Sequence, residues 1–310
     1  MTTAVTPIEA QASRRRKARQ RSDTAVAWLF ATPAAFLLLL FVVVPFALAI
    51  WFSLTNQRLL SPLPTRFVGL DNYIEQLNDP LFWKSLWNNF RFAVFVVPVQ
   101  TAFALALAVL VDQNVRGRVI FRTIFFTPVT VVMAAAATIW VLLFNQSGLV
   151  NGLLELITFG AFSPDWLNST TWAMVAIIVV SIWQGVGFQM VILLAALQDV
   201  PVERYEAAQI DGAGTWQQFR YVTVPGIRNQ LVFVLTVTTI LAMRLFDQPT
   251  LMPRSPGGPL DSTRTAMVHM VEIGFDRQSI GRGSAVAVMF FLIVLVMTLA
   301  QRRLLQEEDL

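Results

Sequence analysis

The sequence predicts an all-α, polytopic membrane protein with six transmembrane helices. Two observations carry that prediction. Hydrophobic residues make up 55% of the 310-residue chain and charged residues 14%, against roughly 25% charged in soluble proteins. The mean hydropathy is +0.60. The charges are also spaced so that long uncharged runs separate them. Such runs lie between Asp23 and Arg58, Arg91 and Asp112, Arg122 and Glu155, Asp165 and Asp199, and Arg282 and Arg302. Each approaches or exceeds the ~20 residues that cross a hydrocarbon core.

A sixth apolar stretch lies between Arg228 and Arg244. It is short, so it places Arg244 within the membrane or at its edge. The expected helices are 26–53, 90–111, 120–144, 172–197, 229–249 and 284–301. The first follows a basic segment, and Ala47-Leu48-Ala49 fits a cleavage pattern. Its apolar run exceeds that of a signal peptide, so it is read as an uncleaved anchor.

Arginine and lysine set the orientation. With the N-terminus inside, the inner segments hold Arg14, Arg15, Arg16, Lys17, Arg19, Arg21, Arg116, Arg118, Arg122, Arg204, Arg220, Arg228, Arg302 and Arg303. The outer segments hold half as many: Arg58, Arg66, Lys84, Arg254, Arg264, Arg277 and Arg282. Both termini are therefore expected in the cytoplasm of a multi-pass plasma (inner) membrane protein. Residues 1–24 form a basic tail facing membrane lipid. Residues 25–310 form the six-helix domain, including a cytoplasmic loop over 198–228.

Composition excludes several chemistries. The chain has no Cys and one His, His269, so thiolate and His-rich metal sites are not expected. There is no long basic stripe with interleaved aromatics, so no nucleic-acid partner is expected. A GxxxxGK[ST] phosphate loop is absent, so energy comes from another chain or from an ion gradient. No cofactor is expected on this chain. His269 receives no functional role.

The outer loops differ in kind. Residues 55–89 are long, and Phe82, Trp83 and Trp87 predict an interfacial helix ahead of the second span. Residues 250–282 begin with Pro253, Pro256, Gly257, Gly258 and Pro259, a turn-rich start.

The loop between the fourth and fifth helices reads LQDVPVERYEAAQIDGAGTWQQFRYVTVPGIR. Pro201 suits the first turn of a helix, and Glu203 and Glu206 suit its dipole. Ala207 and Ala208 permit close approach. Gly212 and Gly214 interrupt the helix, a second amphipathic piece carries Trp216 and Phe219, and Pro225 precedes the next span. From these residues alone, two readings stand: a helix lying on the membrane surface, or a docking helix.

The order Glu206-Ala207-Ala208, Asp211-Gly212-Ala213, Val222-Thr223-Val224-Pro225 resembles the EAA signature of ABC importer permeases. Phe67-Val68-Gly69-Leu70-Asp71-Asn72-Tyr73, Leu143-Phe144-Asn145-Gln146, Trp183-Gln184-Gly185-Val186-Gly187-Phe188 and Gly257-Gly258-Pro259 are similar to segments of the carbohydrate permeases of that family. The chain lacks the extra N-terminal helices and inserted outer domain of the maltose-type permease, and within the compact form it most resembles trehalose-importer (SugA-type) permeases.

The resemblance implies a type I ABC importer permease fold and alternating access. It implies an ATPase dimer, using ATP and Mg, that docks the 203–220 loop through Glu203, Tyr205, Glu206, Ala207, Ala208, Asp211, Gly212 and Ala213. A second homologous permease and an extracytoplasmic sugar-binding lipoprotein complete the implied assembly.

A sugar path needs polar groups inside the membrane, where they are otherwise costly. The candidates are Thr130, Ser181, Gln184, Gly185, Thr238, Arg244 and Asp247, with Gln189, Thr236 and Thr239 also polar and intramembrane. Maltose-type permeases contact sugar at positions matching Ser181, Gln184, Gly185 and Thr238, whereas their further positions are Ala242 and Leu245 here. Each candidate has a plainer alternative. The threonines can bond their own helix backbone, Gln184 can bond a neighbouring helix, and Arg244 can snorkel or pair with Asp247 at i+3. A gradient-driven transporter, which would use intramembrane acids, and an ABC permease for a non-sugar solute are the rival functions. A membrane enzyme would need a nucleophile–base pair that the sequence does not offer.

Overall fold

The computed structural model describes residues 28–60, 64–113 and 117–306. The expected basic tail over 1–24 and Arg116 lie outside the described residues. Among those described, regular structure is helical; the one β feature is an isolated bridge between Thr55 and Phe67.

Helix α1, Trp28–Ser53, is uncharged throughout and lies where expected. Its turns over Leu39–Val43 widen to π geometry, with the Val44 N–H bonding back to the Leu39 carbonyl. Pro45 explains the widening. Its ring crowds the carbonyl four residues back and it has no N–H to give, so the preceding turn relaxes outward. After α2, Asp71–Leu77, comes α3, Pro80–Asp112.

The second span differs from the expected 90–111. The Asp79 carboxylate accepts the Leu81 N–H at 2.8 Å, and Pro80 occupies the first helical position. This cap starts the helix ten residues early. Phe82, Trp83 and Trp87 are therefore not a separate interfacial helix. They form the opening turns of the span itself.

The third span is not the single helix expected over 120–144. It is broken into α4, Arg118–Thr130, and α5, Met133–Leu143, bent by 101°. Pro128 and the β-branched run Val129-Thr130-Val131-Val132 disfavour helix here, and Val131 and Val132 are extended. Helix α6, Leu149–Thr158, follows. Helix α7, Trp172–Gln198, matches its expected bounds almost residue for residue.

The 198–228 loop forms α8, Val202–Ile210, a turn, and α9, Thr215–Gln218, which continues through a π turn, Phe219–Thr223. That turn again precedes a Val-Pro pair, Val224-Pro225. The fifth span, expected over 229–249, is α10, Arg228–Met243, and a separate short α11, Asp247–Leu251. It breaks at Arg244, Leu245 and Phe246. Beyond it lie α12, Ala266–Val271, and α13, Ile280–Gln306, several residues longer at each end than the expected 284–301.

Five helices are long and apolar enough to cross a membrane, and the bent α4–α5 pair makes a sixth if counted as one span. The chain is a multi-pass membrane protein. Its most extensive helix contact is between α3 and α7. In one half Phe92 and Val96 of α3 meet Ile177 and Val180 of α7. In the other, Ala104 and Ala108 meet Met190 and Leu193. Small residues one turn apart let the two backbones approach, the usual means of helix association where lipid removes the hydrophobic drive. Helix α4 lies against α7 at Gly187, where any Cβ would collide with the Phe125 carbonyl.

Candidate functional site

The helices enclose a cleft of about 300 Å³ where α3, α7, the start of α5 and the α10–α11 break converge. Ser181, Gln184, Gly185, Thr238, Arg244 and Asp247 all line it. Thr130 does not: it closes α4 with its hydroxyl on the Thr127 carbonyl at 2.7 Å. The break that ends α4 carries Thr130 away from the cleft and brings Met133 to the wall instead.

Gln184 donates to the Val131 carbonyl at 3.0 Å. That carbonyl is freed by the α4–α5 break, so the glutamine side chain supplies a hydrogen bond that the backbone has lost. Ser181 donates to Ile177 O at 2.8 Å and accepts from Gln248 Nε2 at 3.2 Å. Gln189 Nε2 donates to Thr238 Oγ1 at 2.5 Å, and its Oε1 is buried with no partner among the described residues. Thr236, Thr238 and Thr239 each donate to the carbonyl four residues back. Their hydroxyl protons are thus committed to the helix, leaving acceptor lone pairs for other contacts.

Arg244 and Asp247 form no ion pair within 4.0 Å, and the Arg244 guanidinium has no partner among the described residues. The break at 244–246 takes the two side chains out of the i+3 register of a continuous helix. Both are exposed at the cleft.

Gln100, Gln248, Phe92 and Val96 also line the cleft and were missed in the sequence. Gln100 had a signal: it is a strongly polar residue within an otherwise apolar span. It lies across Gly185, where a Cβ would overlap its amide. Gln248 had the same signal, lying within the expected 229–249 span, but it is the break after α10 that turns it inward.

The 198–228 loop is the second candidate surface. Glu203, Glu206, Ala207, Asp211 and Gly212 are exposed, and Tyr205, Ala208 and Ala213 are half-buried. Tyr205 Oη and Thr223 Oγ1 are 3.0 Å apart, tying α8 to the segment that leads into α10. Trp216 stacks on Phe219. Val202 and Ile210 are large apolar residues left exposed, Ile210 at 87%. They flank Glu206 on α8 and extend the candidate face beyond the residues singled out from sequence.

His269 is fully buried, with Nε2 3.2 Å from Gln76 Oε1 and 3.9 Å from Asp79 Oδ2. Burial holds its imidazole below the usual range, against the raising charge of Asp79. Its Nδ1 has no partner among the described residues. Nearby, Arg264 bonds Asp261 at 2.7 Å and Glu272 at 2.5 Å, and Arg277 bonds Glu272 at 2.7 Å. Burial of Glu272 opposes ionisation, yet the two arginines hold its carboxyl below the usual range. Among the described residues no cluster of His, Asp and Glu is arranged to hold a metal.

Comparison with known proteins places this architecture. A lactose transport system permease protein of Rhizobium radiobacter is 32% identical over 276 residues, covering 88% of this chain and 92% of its own. A sulfoquinovosyl glycerol transport system permease of Agrobacterium fabrum is 33% identical, covering 93% and 92%. A probable ABC transporter permease of Pyrococcus horikoshii is 34% identical, covering 91% and 96%. Among solved structures, a chain of a bacterial ABC transporter involved in import of the acidic polysaccharide alginate superposes with a TM-score of 0.79 at 20% identity, covering 94% of this chain and all of its own. The last likeness is one of fold. The signature described as binding-protein-dependent transport system inner membrane component matches residues 100–307, a stretch that includes most of the cleft and the whole 198–228 loop, and the chain belongs to that family.

Proposed function

We propose that this chain is the membrane-spanning permease subunit of an ATP-driven importer that carries a sugar, a disaccharide such as trehalose, into the cytoplasm. The carrying observation is the cleft. Its polar wall consists mainly of neutral amides and hydroxyls from Gln100, Ser181, Gln184, Thr238 and Gln248, with Phe92 and Phe246 beside them. Neutral hydrogen-bonding groups beside aromatic faces suit a polyhydroxylated neutral solute. The relatives named for lactose, alpha-glucosides and starch degradation products support the same class.

ATP and Mg act on a separate ATPase dimer, which docks against α8 through Val202, Glu203, Glu206, Ala207 and Ile210. Tyr205, Ala208, Asp211, Gly212 and Ala213 shape that helix and its following turn. Exposed apolar side chains at the cytoplasmic end of a bundle are the kind of surface a partner covers. A second, homologous permease supplies the other wall of the cleft.

Outside, an extracytoplasmic binding protein delivers the sugar. The solved alginate transporter was captured with a periplasmic protein. In this chain the outer loop over 257–264 is held rigidly by α3, with Lys84 on Leu260 O, Asn88 on Asp261 O and Arg264 O, and Arg91 on Ser262 O. Rigidity of this kind suits a docking surface. Transport proceeds by alternating access. ATP and loaded binding protein each favour one conformation, and hydrolysis restores the other.

The test is ATP hydrolysis by the complete complex in lipid, with its binding protein and a panel of disaccharides. Stimulation by one disaccharide is expected. Stimulation only by a charged or non-sugar solute would overturn the substrate class, and an absence of any co-purifying ATPase would overturn the energy source.

A further inference from the structure

Four glutamines stand at the transport cleft, and three of them are held by the protein. Gln184 Nε2 donates to the Val131 carbonyl, Gln248 Nε2 to Ser181 Oγ and Gln189 Nε2 to Thr238 Oγ1. Gln100 differs. It lines the cleft and is only 6% exposed, yet neither end of its amide has a hydrogen-bond partner among the described residues. Neither amide atom is sealed off from open space. A primary amide offers two donors and an acceptor, and leaving a buried one unpaired is costly. The pairing that Gln100 lacks within the chain is therefore available to a solute in the cleft.

Its position suits that role. Phe92, Val96 and Gln100 follow one another at four-residue steps, so α3 presents them to the cleft on one face. At ~1.5 Å rise per residue, Gln100 lies ~18 Å from the Asp112 end of α3, and Gly185 ~20 Å from the Gln198 end of α7. Thr238 lies ~15 Å from the Arg228 end of α10. These three are roughly halfway through a ~30 Å hydrocarbon layer, whereas Arg244 stands ~24 Å from Arg228. The cleft thus has a charged end at Arg244 and Asp247 and a neutral floor at Gln100, Gly185 and Thr238. Gly185 makes room for the amide. The three atoms nearest to a Cβ at that position would all belong to the Gln100 amide.

We infer that Gln100 is a specificity-determining residue of the cleft, its amide donating to one hydroxyl of the sugar and accepting from another, with Gly185 as the positioning residue that keeps its seat open. This rests on the sugar-importer reading above and narrows it. An ionised carboxylate only accepts, and would leave the amide oxygen unpaired. An ammonium group only donates, and would leave the amide nitrogen unpaired. A pair of hydroxyls satisfies both ends. The floor of the cleft therefore selects for a neutral polyhydroxylated solute, independently of the charges at its other end.

The test measures uptake into vesicles and ATP hydrolysis together, using the complete complex, saturating loaded binding protein and a panel of neutral disaccharides that includes trehalose, maltose and lactose. Gln100→Met keeps the length of the side chain and removes the amide. Uptake per ATP hydrolysed should fall about tenfold for the sugar that the unaltered complex carries, the loss typical of a buried polar group left unpaired. Hydrolysis itself should be unchanged. The unfolding temperature of the sugar-free complex should be equal or higher, because the variant no longer buries an unpaired amide. Gly185→Ala should lower the uptake ratio to a similar degree by displacing the amide, and should lower it no further in a Gln100→Ala background. Unchanged uptake in Gln100→Met, additive losses at the two positions, or a lowered unfolding temperature in Gln100→Met would overturn the assignment and leave the importer reading in place. If the unaltered complex carries no member of the panel and its hydrolysis responds to none, the sugar reading falls and this inference falls with it.

Discussion

Gly187 and His269 illustrate opposite ways in which a single residue can be constrained. At Gly187 the constraint is space. The backbone of α4 lies directly against α7, and a side chain there meets a carbonyl that cannot swing away. Gly187→Val should therefore separate the two helices and destabilise the complex by about 1–3 kcal/mol, the usual range for overpacking. Gly152→Ala is the control. It has open space at its Cβ and sits on an exposed helix face, and should be neutral or stabilising by about 0.5–1 kcal/mol. Thermal unfolding of the purified complex distinguishes them.

At His269 the constraint is charge. Its folded imidazole titrates below the unfolded value of about 6.5, because burial disfavours the cation more than Asp79 favours it. The unfolded chain therefore binds more protons, and the stability this group contributes is present above that value and lost as pH falls below it. Glu272, also depressed, acts later: its contribution is lost only as pH falls through the carboxylate range. The other charges around the imidazole are Arg264 and Arg277. With the base-catalysed intrinsic exchange rate divided out, the protection of amides in α2 and α12 should fall between neutral pH and about pH 5.5. In His269→Gln that loss of protection should be absent; its persistence would place the sensitivity elsewhere.

Among the elements, α8 carries the clearest expectation. Glu206 is exposed between Val202 and Ile210 on a helix tied to the bundle by Tyr205 and Thr223. On the proposed reading, Glu206→Lys reverses the charge on the docked face without touching the core. Sugar-stimulated ATP hydrolysis should then fall at least tenfold, about 1.4 kcal/mol of lost coupling, while the unfolding temperature stays within a degree or two. Unchanged stimulation would remove α8 from the ATPase interface. The paired breaks at 131–132 and 244–246 have a related logic. Each frees backbone and turns new side chains inward, and Gln184 on the continuous α7 bonds the carbonyl exposed by the first break.

The whole molecule presents a cleft rather than a closed channel, bordered by α3, α5, α7 and α10 with Arg244 and Asp247 exposed on its rim. A half-formed path of this kind requires a second wall. Reconstituted with the ATPase and binding protein but without a second permease, the chain should move no labelled disaccharide into vesicles. Uptake by that three-component system would show that one kind of chain completes the path, as a homodimer.

Much of this was legible in the residues themselves. The spacing of charges located α1 and α7 almost to the residue, because the hydrocarbon layer sets a length that any spanning helix must meet. The order of acids, alanines and glycines in the 198–228 loop predicted two helical pieces and a turn, since caps, dipoles and breakers act locally. Six of the seven residues expected to face a pathway, all but Thr130, do line one cleft. Part of the remainder was local as well, in a cap and a breaker that charge spacing does not weigh, and part depended on contacts between distant segments. Asp79 and Pro80 lengthened α3 where the aromatic cluster suggested a separate helix. The α4–α5 bend carried Thr130 outward. Gln100 and Gln248, far apart in the chain, became neighbours of Ser181 and Gln184 only after α3, α7 and α11 packed. Local rules act over a few residues, and so they are written in the sequence. Which polar side chains share a cavity, and whether Arg244 meets Asp247 or stands apart from it at the rim of the cleft, is decided by where breaks fall and helices cross.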